Sequence, residues 1–138
     1  MKKILILATS WEPNYWIYEK EVPYEKAKNT DLPEWDDLLK NRPLAGIGIY
    51  KKHKDKDYSL NQYVYLKIKG IRHDPDTGVP YFWISPFKRS RVTSSRLERE
   101  LPENNKSWFY SIDQSMIIEI LRNLRETPPE EWLELLRD

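Results

Sequence analysis

Between Gln62 and Ile71 the chain alternates with a period of two, with Val64, Leu66 and Ile68 on one side and Tyr63, Tyr65, Lys67 and Lys69 on the other. Successive side chains of a strand project to opposite faces, so this pattern specifies a half-buried β-strand. Asp74-Pro-Asp-Thr-Gly78 follows as a turn by composition, and Val79 to Ser85 returns as a second strand. A hairpin is therefore expected, one face apolar and the other aromatic and basic. That second face is either a binding surface or a polar exterior that uses strand-favouring tyrosines. Lys88-Arg-Ser-Arg91, after Pro86 and before a Ser/Thr-rich stretch, reads as an exposed loop carrying concentrated charge.

The remaining elements arrange themselves around this hairpin. Lys3-Ile-Leu-Ile-Leu-Ala8 is a short apolar run that suits a buried central strand. Trp11 to Leu32 holds Pro13 and Pro23 and no clean period, so it reads as a long irregular excursion, with a helical turn near Tyr24 to Lys28 and a short helix over Glu34 to Leu39. Loops of that length in a compact domain usually serve a function. In Leu44-Ala-Gly-Ile-Gly-Ile-Tyr50, Gly46 and Gly48 share one face, which implies a close approach by another part of the chain. Lys106 to Ile112 reads as a further strand. Asp113 then caps a helix over Gln114 to Arg125 whose apolar face is Met116, Ile117, Ile120, Leu121 and Leu124. Thr127-Pro-Pro-Glu130 has the form of a capping box opening a last short helix through Trp132, Leu133, Leu135 and Leu136. The fold class is α+β, in a single domain spanning residues 1–138, without repeat or linker.

Charge is distributed unevenly. Residues 42–99 carry 13 Lys/Arg against 5 Asp/Glu and 8 of the 18 aromatic rings, while residues 1–41 sum to −2 and residues 100–138 to −5. A basic, aromatic middle between acidic ends is a partner signal: cations track a phosphate backbone and rings stack on exposed bases. The competing reading is a solvated basic surface over an aromatic core. Cysteine is absent and only His53 and His73 are present, so disulfides and thiolate chemistry are excluded and no metal or other cofactor is implied. No apolar run reaches the roughly 18 residues of a membrane span, and Ile4 to Ala8 is too short for a signal peptide. A cytoplasmic location follows, and the 33% of charged residues, rich in Lys and Glu, suits a thermophilic source. Enzyme templates fail: there is no phosphate-cradling Gly loop, no GxSxG elbow and no HExxH, and Asp36-Asp37 and Glu130-Glu131 read as solvated surface pairs.

Aromatic chemistry is richer. Trp11 and Trp16 lie directly after the first strand, preceded by the hydroxyls of Thr9 and Ser10. Loops at strand ends collect binding groups, and two or three rings can sandwich a base or cage a methylated group. Each Trp is also a reasonable core residue, which is the default for Trp35, Trp83 and Trp132.

The order of these features resembles an EVE domain of the PUA-like superfamily, which also contains YTH and ASCH domains. The likeness runs from residue 3 to 124 and rests on Ala8-Thr9-Ser10 with the aromatic loop Trp11 to Trp16, on Leu39-Lys-Asn-Arg-Pro43, on Gly46-Ile-Gly-Ile-Tyr50, and on Leu66-Lys-Ile-Lys-Gly-Ile71. Tyr81 to Phe87 and Asn105-Lys-Ser-Trp-Phe-Tyr110 with Met116 complete it. The chain departs from the pattern in carrying Asn41-Arg-Pro43 where a Pro-Gly-Asp turn is common. The resemblance implies a small, twisted, mostly antiparallel barrel flanked by helices, with a pocket for a flipped or single-stranded base. It further implies recognition of a modified, for example methylated, base in DNA or RNA, as an RNA reader or as the specificity domain of a modification-dependent restriction system beside a nuclease or motor subunit. In that reading Thr9, Ser10, Trp11, Trp16 and Trp108 form the base pocket, and Lys51, Lys52, Lys67, Lys69, Lys88, Arg89 and Arg91 hold phosphates. Two alternatives stand beside a non-enzymatic reader. One is an ASCH-like nuclease or hydrolase acting on nucleic acid or nucleosides, and the other is a protein-interaction or regulatory module using the basic face.

Overall fold

The computed structural model describes residues 2–9, 20–23, 40, 42–53, 56–73, 75–76, 80–102 and 109–137. They form strands β1 (Lys3–Thr9), β2 (Lys20–Pro23), β3 (Ala45–Tyr50), β4 (Lys52–His53), β5 (Lys56–Asp57), β6 (Gln62–His73), β7 (Pro80–Thr93) and β8 (Phe109–Asp113). The helices are α1 (Ser94–Glu100), α2 (Gln114–Asn123) and α3 (Glu130–Glu134). Six strands make one mixed sheet in the order β2-β7-β6-β3-β1-β8, and β4 and β5 form a separate two-stranded ribbon. β1 and β3 run parallel and the other paired strands antiparallel. The protein is thus a small α+β fold with a sheet flanked by helices. Among the described residues the sheet is open, with β2 and β8 at its edges. A parallel pair needs a long crossover. Here residues 10–44 supply it, and β2 within that connection reaches across to β7.

β1 is the buried interior strand that its apolar run specifies, with Ile4 to Ala8 all 1% exposed or less. Ile4, Ile6 and Ala8 join Ala45, Ile47 and Ile49 of β3, Tyr63 and Tyr65 of β6, and the inner faces of the helices in the main core. The opposite sheet face is buried as well, through Leu5, Leu7, Val64, Leu66, Ile68 and Ile84. Burial on both faces explains why β1 reads as a continuous apolar run. The close approach expected at the glycines is found at Gly46, where a Cβ would lie 2.9 Å from the Leu5 carbonyl oxygen.

The hairpin forms, but its second face does not point outward as a whole. Tyr63 and Tyr65 are fully buried while Lys67 and Lys69, two and four residues on, are exposed. The reason lies at the far end of the chain. Trp132 of α3 is completely buried, its ring 5.1 Å from that of Tyr65, and its indole Nε1–H donates to the Gly46 carbonyl at 3.0 Å. That cap covers the tyrosine half of the face and leaves the lysine half in solvent.

Lys88 to Arg91 is strand rather than loop: β7 runs through it to Thr93. Pro86 is tolerated because a register shift falls beside it, with Leu66 opposite Pro86 and Tyr65 opposite Lys88. Proline belongs at such bulges, where a ladder donor is not required.

Asp113 is the N-cap residue of α2, as expected, but its side chain makes no capping bond and pairs instead with Lys3 at 2.6 Å. Pro129, not Thr127, is the N-cap of α3, and no side chain caps it. Thr127 and Pro128 each precede a proline, which disfavours helical backbone at both. On α2, Ile117, Ile120 and Leu121 are buried and Leu124 follows them inward, whereas Met116 is 41% exposed at the edge of that face.

Candidate nucleic-acid interface

Thr9 ends β1 opposite Tyr50 of β3, and Leu7 pairs with Phe109 of β8, so the chain leaves β1 and enters β8 at the same end of the sheet. The Thr9 side chain and Ser10, Trp11, Trp16 and Trp108 lie outside the described residues, as do the helix expected over Glu34 to Leu39 and Trp35.

The basic side chains divide into three groups. At the β3–β4 corner, Lys51 is held 3.3 Å from Glu98 of α1. Exposed Lys52 stands opposite Asp57 in the β4–β5 ribbon. Hydrogen bonds from the Ser59 hydroxyl and N–H, at 2.6 and 3.0 Å, hold the Asp57 carboxyl below its usual range, helped by the charge of Lys52. Each lysine of this corner therefore has a carboxylate neighbour.

The second group surrounds Trp83. Lys69 Nζ sits 4.3 Å and Arg72 Cζ 3.6 Å from the centre of its ring, within cation–π range. Trp83 is part-buried, with two cations packed against its ring, and is not among the residues of the main core. Exposed Lys67 lies nearby on the same strand, opposite Ser85.

The third group lines a cavity of about 390 Å³ formed by Tyr65, Lys88, Arg89, Arg91 and residues 125–129. Lys88 stands opposite Tyr65, whereas Arg89 stands opposite Val64, and its charge reaches the Tyr50 phenol. The Tyr65 hydroxyl donates to Glu126 Oε1 at 3.2 Å and lies 3.3 Å from the Tyr63 hydroxyl. Burial, reinforced by Tyr63 and Glu126, pushes the Tyr65 phenol far above its ordinary pKa, so it remains a donor. The wall opposite β7 is the end of α2. Glu126 N–H donates to Leu121 O and Arg125 N–H to Arg122 O, both at 2.9 Å, a Schellman closure of the helix. Its left-handed position, normally glycine, is filled by Arg125 at φ 57°.

Arg125 and Glu126 were not among the expected site residues. The available signal was the lack of any glycine between the last apolar residue of the helix, Leu124, and the prolines at 128 and 129. Lys88, Arg89 and Arg91 are brought together as the sequence suggested, while Lys67 and Lys69 lie two and four residues along β6 from Tyr65, which faces Lys88, or roughly 7 and 13 Å of strand. A smaller cavity of about 290 Å³ is lined by Arg42, Pro43, Leu44, Ile68 to Ile71 and His73.

Among the described residues no cluster of His, Asp or Glu is arranged to hold a metal ion, and no helix is long and apolar enough to cross a membrane. Set against protein-family models, curated proteins and solved structures, the chain matches none.

Proposed function

We propose that this chain is a non-enzymatic nucleic-acid-binding module of EVE type, which holds a strand by its phosphates and takes a modified base into an aromatic pocket. One observation carries the reading. The β6–β7 hairpin presents exposed Lys67, Lys69, Lys88, Arg89 and Arg91 along its two strands, with a cation-gripped Trp83 at one end and a concave basic cavity at the other. Cations spaced along strands suit a polyanion. The base-reading role remains with Thr9, Ser10, Trp11, Trp16 and Trp108. The fold that goes with this reading is a PUA-like barrel. Three register shifts between β6 and β7 bend the hairpin, and the sheet face away from the helices is already apolar and buried, as a barrel lumen would be.

The test is a fluorescence-anisotropy panel of single- and double-stranded DNA and RNA, with and without methylated bases. Binding should weaken by at least about ten-fold between roughly 50 and 200 mM salt. A preference for the modified base should flatten in Trp11→Ala and Trp16→Ala. If both folded variants keep that preference, the assignment of the base pocket is wrong; if no oligonucleotide binds at low salt, the nucleic-acid reading is wrong.

A further inference from the structure

We infer that the cavity between β7 and the end of α2 is a receptor for a terminal phosphate monoester, with Lys88, Arg91 and Arg125 as its principal ligands. This rests on the nucleic-acid reading and deepens it: at the cavity end of the basic surface, Lys88 and Arg91 with Arg125 grip a strand end rather than its interior.

Three observations converge on this cavity. The first is charge. Lys88, Arg89, Arg91 and Arg125 line it against the single carboxylate of Glu126, a formal +3, and none of the four makes an ion pair among the described residues. Four cations gathered around one carboxylate repel one another, and an entering anion relieves that repulsion. A phosphate monoester carries roughly −1.5 to −2 near pH 7 and offers three acceptor oxygens, so it matches this cluster better than an internal diester with its single charge. Internal phosphates also require the strand to enter and leave, which an open strand face allows more readily than a concavity.

The second observation is backbone conformation. Arg125 occupies a left-handed turn at φ 57° where glycine would be unstrained. Strain of this kind in a non-glycine residue clusters at ligand sites. The side chain that results is the one cation supplied from the helical side of the cavity, opposite the three on β7. The third observation is size and polarity. About 390 Å³ lies within the range of small-ligand pockets. Glu126, anchored by the buried Tyr65 hydroxyl, provides an acceptor suited to a sugar hydroxyl next to the phosphate.

Two sources share this chemistry, the phosphorylated end of a strand and a free nucleotide, and one experiment separates them. Labelled oligonucleotides of one sequence with a 5′-phosphate, a 3′-phosphate or hydroxyls at both ends are titrated into wild-type protein, Arg125→Gly and Lys88→Met. The melting temperature of each protein is also recorded with adenosine monophosphate, adenosine and inorganic phosphate. Arg125→Gly keeps the helix closure and is expected to fold, so its loss of binding reports on the cation. A phosphorylated end should bind at least about ten-fold more tightly than a hydroxyl end, and both variants should lose that advantage. If no oligonucleotide binds, but adenosine monophosphate stabilises the wild type and not Arg125→Gly, the receptor stands with a free nucleotide as its occupant and the nucleic-acid reading falls. If oligonucleotides bind with normal salt dependence yet neither end phosphate nor adenosine monophosphate has any effect, the receptor is refuted and the nucleic-acid reading stands.

Discussion

Replacing Arg125 tests the strained turn and the cavity together. At φ 57° an L residue crowds its Cβ against the following carbonyl at a cost of about 1–2 kcal/mol, and glycine avoids it. Glycine also has more freedom to lose on folding, which returns roughly 0.5–1 kcal/mol to the unfolded state. Removing the guanidinium gives up a favourable cation at a helix C-terminus, about 0.3–1 kcal/mol, and at the same time relieves repulsion from Lys88, Arg89 and Arg91. The informative comparison is therefore Arg125→Gly with Arg125→Ala. Both lose the charge, and only alanine keeps the crowded backbone. Glycine should exceed alanine by about 0.5–1 kcal/mol, seen as a melting temperature higher by roughly 2–4 °C for a chain of this size. The Glu126 N–H to Leu121 O and Arg125 N–H to Arg122 O bonds should persist in both, giving equal amide-exchange protection. Equal stability of the two variants, or an advantage for alanine, would refute the claim that residue 125 is held in a strained turn.

Other perturbations probe the core and the surface. Trp132→Phe removes the donor to the Gly46 carbonyl and part of a fully buried ring, and should lower stability by about 2–4 kcal/mol, read as a fall in urea midpoint without a change in slope. Gly46→Ala drives a Cβ to 2.9 Å from the Leu5 carbonyl oxygen, so the β1–β3 pairing must shift; a loss of about 1–3 kcal/mol is expected, and an unchanged melting curve would show that the strands yield freely. Burial raises Tyr50, Tyr63 and Tyr110 from 10.0 to about 12 and Tyr65 further. Tyrosine is neutral when protonated, so a raised folded-state pKa adds stability that is complete below pH 10 and is lost as pH climbs toward 12. Tyrosinate absorbance from these rings should appear together with loss of far-UV structure in that window; ionisation at pH 10 in the intact fold would contradict their burial. Lys67→Ala should weaken oligonucleotide binding uniformly across sequences and reduce the salt slope by about one, leaving any modified-base preference unchanged.

The parts of the fold that were legible in the sequence are those governed by local pattern. The β1 run, the β6–β7 hairpin and the inner face of α2 each follow from periodicity within a dozen residues. The outward half of β6 was not legible. Tyr63, Tyr65, Lys67 and Lys69 obey one alternation, and whether that face meets protein or water depends on Trp132, which lies 67 residues beyond Tyr65 in the chain. The Lys88 to Arg91 segment reads as a loop in the sequence for a related reason. Pro86 is a strand breaker in sequence terms, yet it is harmless at a bulge, and bulges are set by the partner strand. At the candidate site, Lys88, Arg89 and Arg91 were visible as a cluster of charge, whereas Arg125 looked like the last residue of an amphipathic helix. Its place in the cavity follows from the way α2 closes and from the return of the chain over the sheet.

Composition and local pattern alone determine that this chain is α+β, that its strongest β-signal is a hairpin in the basic middle segment, and that the excess of cations is concentrated there. Those properties depend on neighbours a few residues apart, and any compact arrangement of the elements preserves them. Only the tertiary structure decided which rings are spent on the core, which cations keep a carboxylate beside them, and which converge on a common cavity. Those outcomes depend on contacts between residues tens of positions apart, where docking of the C-terminal segment buries Tyr63 and Tyr65 and leaves Lys88, Arg91 and Arg125 facing the same space.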